Sequence, residues 1–142
     1  MSEFDWVNAC ANCSIGLLFE QLNAQVEKDI DARQALSKGP PYSYGFRFRL
    51  ENNTIIALIE GHRLHESVTF RLSGNAIEVM GRDSQLLFSG TAVLNNDGEC
   101  RLRVNGEELE LWQFRKKALE DLFFTVPADY MNAEERRIYP AQ

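Results

Sequence analysis

Cys10-Ala11-Asn12-Cys13 and His62-Arg63-Leu64-His65 together hold the four ligand types of a Cys₂His₂ zinc site. Thiolate and imidazole suit tetrahedral zinc, and two cysteines three apart share one face of a helix. The spacing argues against a metal. Between Cys13 and His62 lie 48 residues, far beyond the spacing of a zinc finger, and the two histidines flank a turn. No metal or other cofactor is expected. A redox role for Cys10 and Cys13 would want a helix N-terminus after a strand, where the thiol pKa falls. Here the pair falls inside a helix with no strand before it, so both read as small buried side chains. Cys100 alternates in phase with Leu102 and Val104 and reads as a core residue. Three cysteines behind an N-terminus that carries Glu3 and Asp5, where an export signal carries Lys or Arg, read as free thiols in the cytoplasm.

Other catalytic arrangements are missing. There is no nucleophile elbow, phosphate loop or dinucleotide glycine fingerprint. Glu107, Glu108 and Glu110 cluster at a hairpin, where solvated carboxylates are commoner than an acid–base pair. The chain therefore reads more as a binding protein than as an enzyme.

Charge gives the sharper signal. Arg47, Arg49, Arg71, Arg101 and Arg103 fall on the opposite parity from the apolar residues of their segments, so one sheet face should carry guanidinium groups. Such groups bind carboxylates in bidentate fashion. Glu108 and Glu110, expected across the hairpin from Arg101 and Arg103, compete for them. Nucleic acid is excluded as a partner. The chain carries 15 Lys and Arg against 21 Asp and Glu, a formal charge of −6 over 142 residues, and the basic parity has no interleaved aromatic residues on which bases could stack. The longest strongly apolar stretches, Ile15 to Phe19 and Ile55 to Ile59, fall far short of the ~20 residues of a membrane helix. No membrane role is expected.

These residues need elements to hold them. Ser2 with Asp5 has the form of a capping box, and no proline interrupts the chain from there to Leu36. One long helix over about 3–36 is expected, with Leu18, Leu22, Val26 and Ile30 as its buried stripe and Trp6, Cys10, Cys13 and Leu17 continuing it. Glu20, Glu27, Asp29 and Asp31 form its wet face. Gly16 is its weak point and Gly39 its stop. From 43 to 112 the period changes to two. Runs at 44–50, 54–60, 64–72, 76–80, 85–94, 99–104 and 108–112 are separated by turns too short for parallel crossovers, so a mostly meander antiparallel sheet of six to seven strands follows. Gln85 to Leu94 is apolar on both parities and reads as a central or interface strand. A short helix over about 113–124 and a loosely held tail over 127–142, with Asn132 and Glu135 as a further capping box, complete the chain.

The whole is expected to be a single α+β domain, the long helix packed on one face of the sheet. The covered face should hold Tyr44, Phe46, Phe48, Leu50, Val68, Phe70, Leu72, Ile77, Val79, Phe88, Leu102, Val104, Leu109 and Leu111. The expected function is a non-enzymatic protein-binding module with an adaptor, chaperone-like or inhibitor role. It would associate with a protein partner, or with itself as a homodimer, through a sheet edge or the aromatic C-terminal region around Trp112, Phe114, Phe123, Phe124, Tyr130 and Tyr139. The arginine face would supply selectivity. The alternative is a carrier or enzyme for a small apolar ligand held between helix and sheet by Trp6, Phe46, Phe48, Phe70 and Phe88.

Overall fold

The computed structural model describes residues 3–36, 44–61 and 64–127. The expected α+β architecture is present, but the N-terminal helix is two helices. Asp5 is the cap of the first, α1 (Trp6–Asn12), its carboxylate accepting from the Asn8 N–H at 3.1 Å. The second, α2 (Ile15–Leu36), starts where Ser14 Oγ accepts from the Leu17 N–H at 3.2 Å. The break therefore lies at Cys13 and Ser14, and Gly16 sits in the first turn of α2 with open space around it. A serine cap offers the backbone an alternative to continuing the previous helix. Ser2, Gly39 and the Asn132 and Glu135 pair lie outside the described residues, as do Tyr130 and Tyr139.

Leu18, Phe19, Leu22, Val26 and Ile30 form the buried stripe of α2. The expected extension of that stripe into α1 is not made: α1 buries no residue, and Trp6 is 65% exposed. Of the acidic face, Glu20, Glu27 and Asp31 are exposed, whereas Asp29 is half-buried and accepts from Arg115 Nε at 2.6 Å.

Seven strands follow: β1 (Tyr44–Glu51), β2 (Thr54–Gly61), β3 (Leu64–Ser73), β4 (Ala76–Met80), β5 (Leu86–Leu94), β6 (Cys100–Val104) and β7 (Glu107–Leu109). They pair antiparallel in sequence order from β1 to β7, an uninterrupted meander. Connections of two to five residues require it, and three described two-residue turns use left-handed backbone: Asn52 at φ 53°, Gly74 at φ 62°, and Asn105 and Gly106 at φ 51° and 82°. A bulge between Val79 and Met80 shifts the β4–β5 register and leaves Leu86 and Leu87 exposed. β5 is an interior strand, fifth of seven, and both of its apolar parities face solvent at that end.

The helix α3 (Leu111–Glu120) turns back over the same face as α2. It starts because the Glu110 N–H donates to Gln113 Oε1 at 2.8 Å, and this ends the seventh strand at Leu109 rather than at Trp112 as expected. A wider π-helical turn, Asp121–Thr125, continues it. Phe114 is fully buried and packs against Phe70 and Phe88, with ring centroids 6.3 Å and 5.4 Å away. Its ring lies over Gly90, where an added Cβ would meet Phe114 at 2.8 Å. Phe123 packs edge-on against Phe46 at 5.4 Å. Both helices therefore fill the covered face, each buried aliphatic side chain contributing about 1.5–3 kcal/mol. β2 adds Ile55, Ala57 and Ile59 to this core. Of the residues expected there, Leu50 is exposed, and Phe48, Leu72, Phe88 and Leu111 are half-buried.

Among the described residues, no helix is long and apolar enough to cross a membrane.

Candidate functional site

The cysteines are not three free thiols. Cys13 and Cys100 form a disulfide across 87 positions of sequence, with Cα atoms 5.4 Å apart, and Cys10 alone is free and exposed. The reason is topological. α2 begins at the end of the sheet where β1 finishes and β6 starts, so the residue before its cap meets the first residue of β6. With its sulfur in that bond, Cys13 is no thiolate ligand, and His62 lies outside the described residues. The pairing also removes the free-thiol premise behind the cytoplasmic placement.

The five arginines lie on the outer face but do not form one patch. Arg47 and Arg49 are on β1, Arg71 is on β3, and Arg101 and Arg103 are on β6. β1 and β6 are five strand spacings apart in the sheet, roughly 24 Å. Most have partners. Arg47 meets Glu60 at 3.0 Å, Arg49 meets Glu51 at 3.8 Å, and Arg71 meets Glu78 at 2.6 Å. Arg101 meets Glu99 at 3.0 Å and Glu110 at 4.0 Å. Arg103 stands opposite Glu108 in the register, without an ion pair among the described residues. Trp112 is exposed in the first turn of α3, its indole N–H 3.4 Å from Glu110 Oε2.

The aromatic residues named for an internal pocket part company in the same way. Phe46, Phe70 and Phe88 converge, but on the rings of Phe123 and Phe114 rather than around a shared space. Phe48 is half-buried at the edge of the sheet, and Trp6 stands outside the core on α1.

A different arrangement occupies the β1 side. The Phe46 N–H donates to Gln34 Oε1 at 2.6 Å, so it points away from β2. Alternation along an antiparallel strand turns the N–H and C=O of Phe48 and Leu50 the same way. Among the described residues nothing takes up those two N–H groups. On one side of this open stretch stand Arg47 and Arg49, with about two thirds of each side chain exposed and in ion pairs of the kind worth little. On the other side, at the end of β1, a groove of about 530 Å³ runs between the first half of α2 and the β1–β2 turn. Leu17, Phe19, Leu50 and Leu72 give it apolar walls, and Leu50 is 49% exposed. Asn23 lines it too, and its Oδ1 is buried with no hydrogen-bond partner among the described residues. A buried acceptor without a donor costs about 1–3 kcal/mol.

Of this site, the sequence reading named Arg47, Arg49 and Phe48 and put Leu50 in the core. It missed Leu17 as a surface residue and Asn23 altogether. The one available signal was the position of β1 as first strand, which makes it an edge in any meander. The chain matches no family model, no curated protein and no solved structure.

Proposed function

We propose that the domain is a non-enzymatic protein-binding module that takes an extended segment of its partner along β1. The observation that supports this reading is the unpartnered stretch from Phe48 to Leu50, set between the exposed arginines and the apolar groove. Strand addition draws its affinity from main-chain hydrogen bonds and its specificity from alternate side chains. Here the two sides of an added strand meet different chemistry. Residues facing outward reach Arg47 and Arg49, and those facing inward reach Leu17, Leu50 and Leu72. The segment that fits alternates acidic and apolar side chains. The basic strip is local within an acidic chain, so it selects at short range rather than steering from a distance.

The test is selection from a displayed library of random peptides. Enriched peptides should alternate acidic and apolar residues. Leu50→Pro, which removes an outward N–H, should weaken their binding by about tenfold or more, the worth of one or two hydrogen bonds. The double variant Arg47→Glu and Arg49→Glu should shift enrichment away from acidic peptides. No enrichment, or enrichment indifferent to Leu50→Pro, overturns the reading. A homodimer that Leu50→Pro dissolves would replace the foreign segment with a second copy. No observation favours a ligand between the layers, where the rings pack on one another.

A further inference from the structure

We propose that Cys10 is the attacking thiol of an internal disulfide exchange, which moves the crosslink from Cys13–Cys100 to Cys10–Cys13 and unfastens α1 from the sheet. Cys10 is exposed and free, and it stands one turn before a bonded cysteine. The Cys13 N–H donates to the Cys10 carbonyl at 3.2 Å, so both residues belong to the same final turn of α1. Helical neighbours at this spacing have Cβ atoms about 5–6 Å apart, whereas a disulfide needs about 3.5–4.5 Å. The difference is small, and Cys13 is where the chain can absorb it: at φ −106° and ψ 78° it has already left the helix.

The step balances without an outside oxidant or reductant. Cys10 gives up its proton, and its thiolate sulfur attacks Cys13 Sγ in the manner of any thiol–disulfide exchange. The Cys10–Cys13 bond forms as the Cys13–Cys100 bond breaks, and Cys100 leaves as a thiolate that takes up a proton. Two thiol-oxidation equivalents are present before and after.

What the exchange releases is an element with little else to hold it. α1 buries no residue. Besides the disulfide, Phe4 rests against Gly98, a position at φ 78° where an added Cβ would come within 2.6 Å of the Phe4 ring. Loss of the covalent tie leaves α1 without a buried side chain to anchor it. At the start of β6, which pairs with β5 beyond the end of β7, Arg101 Nη1 donates to the Cys100 carbonyl at 3.0 Å and is untouched by the exchange. The exchange is thus a switch that mobilises α1. It does not depend on what binds β1.

The full chain, purified without reductant and held at neutral pH, is quenched in acid, alkylated, and mapped by peptide mass spectrometry. Label should divide between Cys10 and Cys100, with Cys10–Cys13 and Cys13–Cys100 crosslinked peptides both present. Cys10→Ser should show the Cys13–Cys100 peptide alone and no label. Hydrogen exchange adds a second readout. In Cys100→Ser, where only Cys10–Cys13 can form, amides of residues 6–12 should exchange about tenfold faster than in Cys10→Ser, because local opening sets their protection. Label confined to Cys10 after prolonged incubation overturns the proposal, and so does label on all three cysteines. Equal protection of 6–12 in the two variants overturns the release of α1.

Discussion

The two edges of this sheet are closed to different degrees. The β7 edge is only three residues long, carries Glu107 and Glu108, and passes directly into α3. Where β6 runs beyond it, the Arg101 guanidinium takes up the Cys100 carbonyl. Short length, charge and a covering element are the usual defences against unwanted strand pairing. β1 has eight residues and one such defence in the described chain, the Gln34 side chain on Phe46. Its outward charges are Arg47 and Arg49, with Glu51 at its end paired to Arg49. Among the described residues the outward N–H groups of Phe48 and Leu50 meet no acceptor, which is what the proposed strand addition requires.

If closure of the β7 side comes from α3, the largest loss should follow from pulling α3 out of the core. Phe114→Ala removes a fully buried ring that packs on Phe70, Phe88 and Gly90. Urea denaturation should show a loss of about 3–5 kcal/mol. A loss below about 1 kcal/mol would mean that α3 is an appendage and that both edges are equally open. Cys100→Ser should come next. Cutting a native crosslink costs about 2–5 kcal/mol, and reduced wild type should lose a similar amount. Equal stability of oxidised and reduced protein would mean that the crosslink adds nothing to the stability of the fold.

The contrast between edges was only partly legible in the sequence. The meander was readable because each turn was too short for a crossover, and the core parity of β3, β4 and β6 followed from alternation. The disulfide was not readable, because nothing local in Cys13 or Cys100 records that α2 and β6 begin at the same end of the sheet. The break in the first helix was masked by continuous apolar spacing through Cys10, Cys13 and Leu17; Ser14 decided it by capping. Leu109 and Leu111 alternate with Glu108, Glu110 and Trp112 and so read as strand, and the Glu110 N–H bond to Gln113 turned the segment into a helix start. Leu50 had the right parity for the core but sits at the end of an edge strand with nothing above it. Asn23 is one polar residue among many on α2, and only the groove gives it meaning.

The edge geometry itself can be tested by moving one proline by one position. Arg49→Pro deletes an N–H that points into the β1–β2 ladder and leaves the Ile56 carbonyl short of its partner. Loss of that bond with an unsatisfied acceptor should cost about 1–3 kcal/mol. Leu50→Pro deletes an N–H that points outward, and proline is tolerated at such edge positions, so it should cost less than about 1 kcal/mol. Equal costs at the two positions would mean that the alternation deduced from Phe46 does not extend along β1.

The smallest effect should be the most informative about the open edge. Gln34→Ala removes the side-chain oxygen that accepts from the Phe46 N–H at 2.6 Å. Gln34 is otherwise exposed, so little packing is lost and stability should fall by only about 0.5–1.5 kcal/mol. The released N–H lies on the same side of β1 as those of Phe48 and Leu50. If β1 accepts an added strand, this variant should bind the selected peptides as well as or better than wild type while being less stable. Binding and stability falling together would show instead that Gln34 organises the site. The two edges would then differ in length and charge but not in readiness to pair.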